Sequence, residues 1–295
     1  MKNRYYDGNG NLTSKTDAKS QTISFAYDYN NRLTGKTYPD SSTATYTYDA
    51  SSNLLTVVDN NTNTVNAYDD LNRLTVVTNT ILSKVIQYTY WEDGTRKTML
   101  EPEGALVEYT YDKAKRLLTV KRNSVTEATY QYNALGLRTR ETLGNGSYTE
   151  NTYDGTTRWL IGVYNRTSTD TVISSFVYTL DKIGNRTSMT LANNDVISYT
   201  FDATYQLTNE LRTGNTAYQK AWTYDEVGNR LTQWDGAITT TSTYNDANQL
   251  IESVEGGITT TNYTYDANGN QTGKTIGANT LARGTHSMTA NTYFN

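Results

Sequence analysis

TYTYDASSNLLTVVDNN, residues 45–61, carries a phrase that recurs along the whole chain. FAYDYNNRLT stands at 25–34, NAYDDLNRLT at 66–75, YTYDKAKRLL at 109–118 and WTYDEVGNRL at 222–231. Internal repetition takes precedence over every other signal, because it sets the architecture. Each copy can be anchored on the residue before its Asp. The anchors run Tyr6, Tyr27, Tyr48, Tyr68, Tyr90, Tyr111, Tyr132, Tyr153, Leu180, Phe201, Tyr224, Tyr244 and Tyr265. Their spacings are 21, 21, 20, 22, 21, 21, 21, 27, 21, 23, 20 and 21 residues.

Each position of the phrase has its own chemistry. The residue after the anchor is Asp in ten copies, including Asp28, Asp49, Asp69, Asp225 and Asp266; Asn133 and Asn245 replace it in two, and Trp91 is the exception. Three residues further comes Gly, as at Gly136, Gly184, Gly228 and Gly269, or Asn, as at Asn31 and Asn72. Asp at the first corner and Gly three residues on predict a type I turn. The carboxylate can accept from the backbone two residues later, and Gly or Asn tolerates positive φ. The Asp of the phrase is therefore turn chemistry rather than catalysis. Two residues past the Gly or Asn comes Leu, or Arg at Arg96, Arg138, Arg186 and Arg230. Such an Arg can lay its aliphatic stem on apolar surface and keep its head in water.

Before the anchor the order is aromatic, other, aromatic: Phe25 and Tyr27, Tyr46 and Tyr48, Tyr88 and Tyr90, Trp222 and Tyr224. Thr often lies between. Period-two alternation of aromatics with Thr predicts a strand whose aromatics share one face. A second set of turn residues closes each unit, as in YPDSST at 38–43 and EPEG at 101–104. One unit of about 21 residues is strand, turn, strand, turn, and no stretch reads as helix. The expected fold is all-β, a tandem array of antiparallel hairpins with about 25 strands. At ~4.8 Å per strand such a sheet would be ~120 Å wide if flat, and open sheets rarely exceed ~10 strands without curling. Asp, Asn and Arg at the turns are then placed to link successive revolutions. Repeats fill 1–274, and 275–295 is expected to be an aberrant, poorly ordered tail or a truncated repeat.

The rest of the composition mainly excludes. The 295 residues hold 26 Lys+Arg and 30 Asp+Glu, a net charge of −4, which argues against a nucleic-acid groove or a polybasic membrane patch. With no Cys and one His, His286 in the tail, a zinc site or a His-based triad lacks material. Asp7-x-Asn9-x-Asn11 and Asp266-x-Asn268-x-Asn270 look like the start of a calcium loop, but Leu12 and Gln271 stand where an EF-hand needs Gly. No catalytic, cofactor-binding or metal residue is assigned. No apolar run approaches the ~18 residues of a spanning helix, and no signal peptide is visible at the N-terminus. Tyrosine is the outlier, with 26 copies against 4 each of Trp and Phe. It suits a lining, since its ring buries area while its hydroxyl keeps a partner. The 27-residue spacing around RWLIGVYNRTSTDTVISSFVY (158–178) reads as a longer hairpin, and Trp159, Ile161 and Tyr164 are its candidate partner-binding residues.

The phrase Y-D-x-x-G-N/R-L-T resembles the YD repeat of the Rhs family, which includes bacterial Rhs polymorphic toxins, Tc toxin shells and teneurins. The resemblance covers roughly 6–272. It implies one continuous β-strip that spirals into a hollow, β-solenoid-like shell or tube. It also implies a non-enzymatic scaffold, extracellular or at the cell surface, that encloses or presents cargo. The implied partners are remaining shell segments or an enclosed polypeptide, with no nucleic acid and no membrane span. No Asp-Pro-rich self-cleaving segment and no toxin-like domain follows the repeats, as expected of a partial array or truncated gene. Self-association through edge strands is a further expectation. The alternative is an adhesion module holding carbohydrate or protein on the Tyr/Asn-rich surface.

Overall fold

The computed structural model describes residues 3–278 and 291–293, and these form 27 β-strands and no helix. The chain divides into two units, Met1–Gly146 and Ser147–Asn295. In the first, every strand from Asn3–Tyr6 to Arg138–Leu143 pairs antiparallel with the next in sequence. In the second, the same holds from Tyr148–Tyr153 to Asn291–Tyr293. Each unit is thus an unclosed meander of hairpins among the described residues. The expected boundary at 274 falls inside the strand Gln271–Ala278, and Lys274 faces Tyr293 across the last pairing. Residues 279–290, His286 among them, lie outside the described residues.

The alternation read from the sequence gives the sheet two unlike faces. In Thr22–Tyr27, Ile23, Phe25 and Tyr27 are half-buried while Thr22, Ser24 and Ala26 are exposed. On the threonine face, hydroxyls pair across strands: Thr47 with Thr56 at 2.6 Å, Thr110 with Thr119 at 2.6 Å, Thr223 with Thr232 at 2.7 Å. Such cross-strand pairs each stabilise a sheet by roughly 0.2–1 kcal/mol. They matter here because, among the described residues, strands within each unit touch only their sequence neighbours. The buried apolar side chains described are few and mostly small: Ala44, Ala105, Val107, Ala128 and Ile197. Cohesion therefore comes from within the layer rather than from a core between layers.

The turns carry an irregularity that the sequence does not announce. Tyr27 faces Leu33, but Ala26 faces Gly35, so Thr34 is skipped. The same one-residue shift recurs beside Tyr48, Tyr68, Tyr111, Tyr132, Tyr153, Leu180, Phe201, Tyr224, Tyr244 and Tyr265. A β-bulge therefore accompanies each of the thirteen YD turns, those at Tyr6 and Tyr90 included, and bulges of this kind increase local twist. The two longest spacings have separate causes. Around Tyr153 the turn gains one residue, with Asp154 N–H bonded to Trp159 O, and the strands Leu160–Arg166 and Val172–Leu180 lengthen. Between Phe201 and Tyr224 the loop at 214–217 keeps an ordinary size, and the strands Leu207–Thr213 and Tyr218–Tyr224 lengthen to seven residues each.

Candidate functional site: the turn edge

The YD turns line one edge of each sheet, and Asp28 shows how each is built. Its backbone N–H bonds Arg32 O at 3.0 Å, and Asn31 N–H bonds Asp28 O at 3.0 Å. Its Oδ1 accepts from the N–H groups of Asn30 (2.9 Å) and Arg32 (3.0 Å), and its Oδ2 from Arg32 Nε (2.7 Å). Asp69 repeats this with Leu71 and Arg73. In the Asn variant, Asp49 accepts from Asn53 N–H and Nδ2, both at 2.8 Å, and Asp225 and Asp266 do likewise with Asn229 and Asn270. The residue three after the Asp has positive φ: Gly136 at 81°, Gly184 at 96°, Gly228 at 94°, Gly269 at 85°, Asn31 at 59°. Valine at Gly228 or Gly269 is therefore expected to destabilise by about 1–3 kcal/mol, measured by chemical denaturation.

These bonds hold the carboxylates ionised. The Arg32 N–H is the main cause that lowers Asp28, and the Arg73 N–H does the same for Asp69. The Asn11 and Asn53 amides lead for Asp7 and Asp49. At Asp181 and Asp225 desolvation pulls upward but is outweighed by the bonds from Asn185 and Asn229.

Successive turns are stitched to one another along the edge. Arg32 Nη1 donates to Asp49 O at 2.8 Å while its guanidinium lies 4.8 Å from the centre of the Tyr48 ring. Arg73 does the same to Trp91 O and Tyr90, and Arg116 to Asn133 O and Tyr132. Where Asn stands in place of Arg it reaches the next turn's Asn: Asn11 to Asn31 at 2.7 Å, Asn53 to Asn72 at 2.7 Å, Asn229 to Asn248 at 2.9 Å. The anchor tyrosines donate backward to the preceding hairpin, Tyr27 to Leu12 O, Tyr48 to Leu33 O at 2.9 Å and Tyr265 to Leu250 O at 2.8 Å. A tyrosine such as Tyr48 is thus held by its hydroxyl on one side and by a cation over its ring on the other. Tyr48→Phe is expected to cost about 1 kcal/mol in a urea titration, because it leaves the Leu33 carbonyl short of a donor. The repeated Arg or Asn five residues after the anchor was visible as the "N/R" of the phrase. Its cross-turn partners were not, because they lie about 20 residues away. The Arg residues two past the Gly, Arg96, Arg138, Arg186 and Arg230, are exposed, and two of their guanidinium groups also lie over rings, Arg186 4.1 Å from the Tyr178 ring centre and Arg96 4.7 Å from that of Tyr88.

Trp159, Ile161 and Tyr164 do not form one exposed cluster. Trp159 packs on the next turn, where a Cβ at Gly184 would come within 3.3 Å of its Cζ2. Ile161 is half-buried beside it, in an open cleft of about 520 Å³ shared with Tyr178 and Asp181. Tyr164 faces Ser175 and lies over Gly162, whose missing Cβ leaves room for the ring.

Asp195 is the one fully buried charged side chain among the described residues, 2% exposed. Its Oδ2 accepts from Arg212 Nε (3.0 Å) and Thr216 Oγ1 (2.9 Å), and its Oδ1 from Asn215 N–H (3.0 Å). Desolvation pushes the carboxyl up, but the bonds from Thr216, Asn215, Arg212 and Asn193 hold it at about 2. It anchors the loop before Tyr218. The available sequence signal was the 23-residue spacing together with Gly214 and Asn215. No group of three or more His, Cys, Asp and Glu arranged as a metal site occurs among the described residues, nor a helix long and apolar enough to cross a membrane.

Comparison with known proteins follows the same lines. The RHS repeat family model matches residues 6–43 and 27–64. No curated protein matches the sequence. A solved TcdB2-TccC3-TEV structure aligns over 95% of this chain and 19% of its own, with 16% identity and a TM-score of 0.59. TcdB2-TccC3 without its hypervariable C-terminal region aligns over 96% and 19%, also at 16% identity and a TM-score of 0.59. A Photorhabdus luminescens Tc holotoxin pore aligns over 90% and 20%, at 16% identity and a TM-score of 0.52. The chain thus spans about a fifth of the length of the solved chains it matches, and at this identity the likeness is one of fold.

Proposed function

This chain belongs to the Rhs/YD-repeat family, and on that premise we propose that it is a non-enzymatic wall segment of a toxin-type shell. In this reading it works with further segments of the same sheet to enclose or present a polypeptide, outside the cell that makes it. The observation that carries the proposal is the aromatic face. It is half-buried in a layer whose strands touch only sequence neighbours, and several of its tyrosines are held by both hydroxyl and ring. A surface so fixed can face an enclosed chain without collapsing, and tyrosine hydroxyls keep it compatible with water. The turn carboxylates support the same reading, since their lone pairs are engaged by the turn backbone rather than aimed at a substrate.

The test is protease protection. The polypeptide encoded beside this chain is co-expressed with it, and digestion is followed by mass spectrometry. An enclosing wall slows cleavage of that polypeptide by orders of magnitude relative to the polypeptide alone. Equal cleavage rates would remove enclosure and leave only a scaffold.

A further inference from the structure

The charges of this chain are sorted by place. Its net charge is −4, yet the tyrosine side of the sheet is basic. In the first unit the strand register sets Lys15, Lys36, Lys84, Arg96, Arg122 and Arg138 on that side. In the second it sets Arg186, Arg212, Lys220 and Arg230 there. The rings agree: Lys36 lies 5.6 Å from the centre of the Tyr46 ring, Arg96 4.7 Å from Tyr88 and 5.9 Å from Tyr109, and Lys220 5.0 Å from Tyr218. Acids on this side are fewer. Glu141 and Glu210 are already engaged, by Arg138 at 3.0 Å and by the Tyr218 hydroxyl at 2.7 Å. Most carboxylates stand in the turns at the sheet edges instead, many of them held by turn N–H groups.

Some of these cations are neutralised and some are not. Lys84 and Arg122 reach the turn carboxylates of Glu103 (2.7 Å) and Glu101 (2.5 Å), and Arg212 reaches Asp195 (2.9 Å). Among the described residues, no carboxylate lies within 4.0 Å of the charged groups of Lys36, Arg96, Arg186 and Arg230. Their neighbours are aromatic. Lys36 faces Phe25, Arg96 faces Tyr90 and Arg230 faces Tyr224 across the strands, and Arg186 lies 4.1 Å from the Tyr178 ring centre. A ring attracts a cation without cancelling its charge. A guanidinium stacked on a ring keeps its N–H groups in its own plane, where a carboxylate can take two of them. Arg186 and Arg230 stand four strands apart, roughly 19 Å at ~4.8 Å per strand. That is about six residues of an extended chain at ~3.3 Å each. Carboxylates dispersed along a polypeptide fit such spacing. A nucleic acid, charged at every nucleotide, would also lie against the ionised turn carboxylates at the sheet edges. We propose that the tyrosine side of the sheet is a docking surface for an extended, acidic polypeptide. This rests on the reading of that side as the one that faces a guest, and what it adds is the guest's charge.

The experiment titrates the full chain, at low salt, with three labelled probes: poly-L-glutamate, a neutral glycine-serine peptide and single-stranded polyuridylate RNA. Binding is read by fluorescence anisotropy. Poly-L-glutamate is expected to bind saturably and to be released by salt, and the neutral peptide to bind at least about tenfold more weakly. Lys36→Gln, Arg96→Gln, Arg186→Gln and Arg230→Gln together are expected to weaken poly-L-glutamate about tenfold or more. Gln at Lys19, Lys113 and Lys182, which stand in turns, and at Lys121, which faces Glu108 on the threonine side, removes the same net charge and is expected to cost less than about twofold. Should the first set fail to fold, Arg96→Gln and Arg186→Gln singly are each expected to cost about threefold. The proposal is overturned if poly-L-glutamate does not bind, if the neutral peptide binds equally, if RNA binds more tightly, or if the control set costs as much as the first. Binding of poly-L-glutamate without protease protection of the co-expressed polypeptide supports this surface and removes enclosure. Protection without poly-L-glutamate binding keeps enclosure and overturns the acidic guest.

Discussion

Gly214→Ala is expected to destabilise the second unit by about 3 kcal/mol or more, the sum of a positive-φ penalty and an overpacking cost. Gly214 has φ of 113°, and a Cβ there would lie 1.9 Å from Asp195 Oδ1 and 2.5 Å from its Cγ. Asp195 cannot swing aside cheaply. Its two oxygens already accept from Arg212, Asn215 and Thr216, and any move that relieves the clash breaks those bonds in a buried place. Gly257→Ala is the matched control. It too has positive φ, 69°, but no atom lies within 4 Å of the added methyl. Urea titrations of the two variants, with hydrogen exchange at 213–217, separate strain from collision. If the two midpoints give stabilities within about 0.5 kcal/mol of one another, the Asp195 cluster is looser than its hydrogen bonds imply.

Acid should undo the array as a whole. Asp7, Asp28, Asp49, Asp69, Asp112, Asp154, Asp181, Asp202 and Asp225 all sit below the ordinary carboxylate value. A carboxyl whose folded pKa is lowered binds protons more readily when unfolded. Its contribution is therefore complete above the unfolded value of about 3.9 and is lost as pH falls through the folded value. Each turn contributes little alone, because these groups are solvated, but nine act in the same direction. Melting temperature is expected to be flat from pH 7 to about 5 and to fall steeply between about pH 4 and 2. Asp195, held at about 2, is the last to go. A melting temperature unchanged down to pH 2.5 would mean that the carboxylate bonds to the turn backbone contribute nothing. Asp28→Asn separates cap from charge: it keeps an acceptor for Asn30 and Arg32, as Asn133 does naturally for Leu135 and Leu137, but cannot titrate.

Much of this architecture was legible in the residues alone. Strand, turn and face follow from interactions within a few positions of each other: alternation of Tyr or Phe with Thr, Asp at the first corner, Gly or Asn where φ must be positive. Those are local rules, and thirteen repetitions made them hard to misread. The antiparallel meander follows too, since turns this short can only return the chain beside itself.

What the residues did not disclose depends on partners about 20 positions away. Arg32 could be seen recurring, but its hold on Asp49 O and Tyr48 needed the neighbouring hairpin in place. The skipped Thr34 is a matter of register between two strands, which no single strand's pattern specifies. Nothing in the residues beside Asp195 sets it apart from the other carboxylates of the chain. Only the returning loop, with Gly214 bare of a side chain, shows it to be buried and saturated with donors. Trp159 is the converse case. The sequence offered a longer hairpin with Trp159 as a candidate contact, and the structure shows its ring half-buried against Gly184. Local propensity sets the elements because backbone geometry is short-ranged. The tertiary structure alone decides which carboxylates are buried and which aromatics stay open, because burial is a property of neighbours.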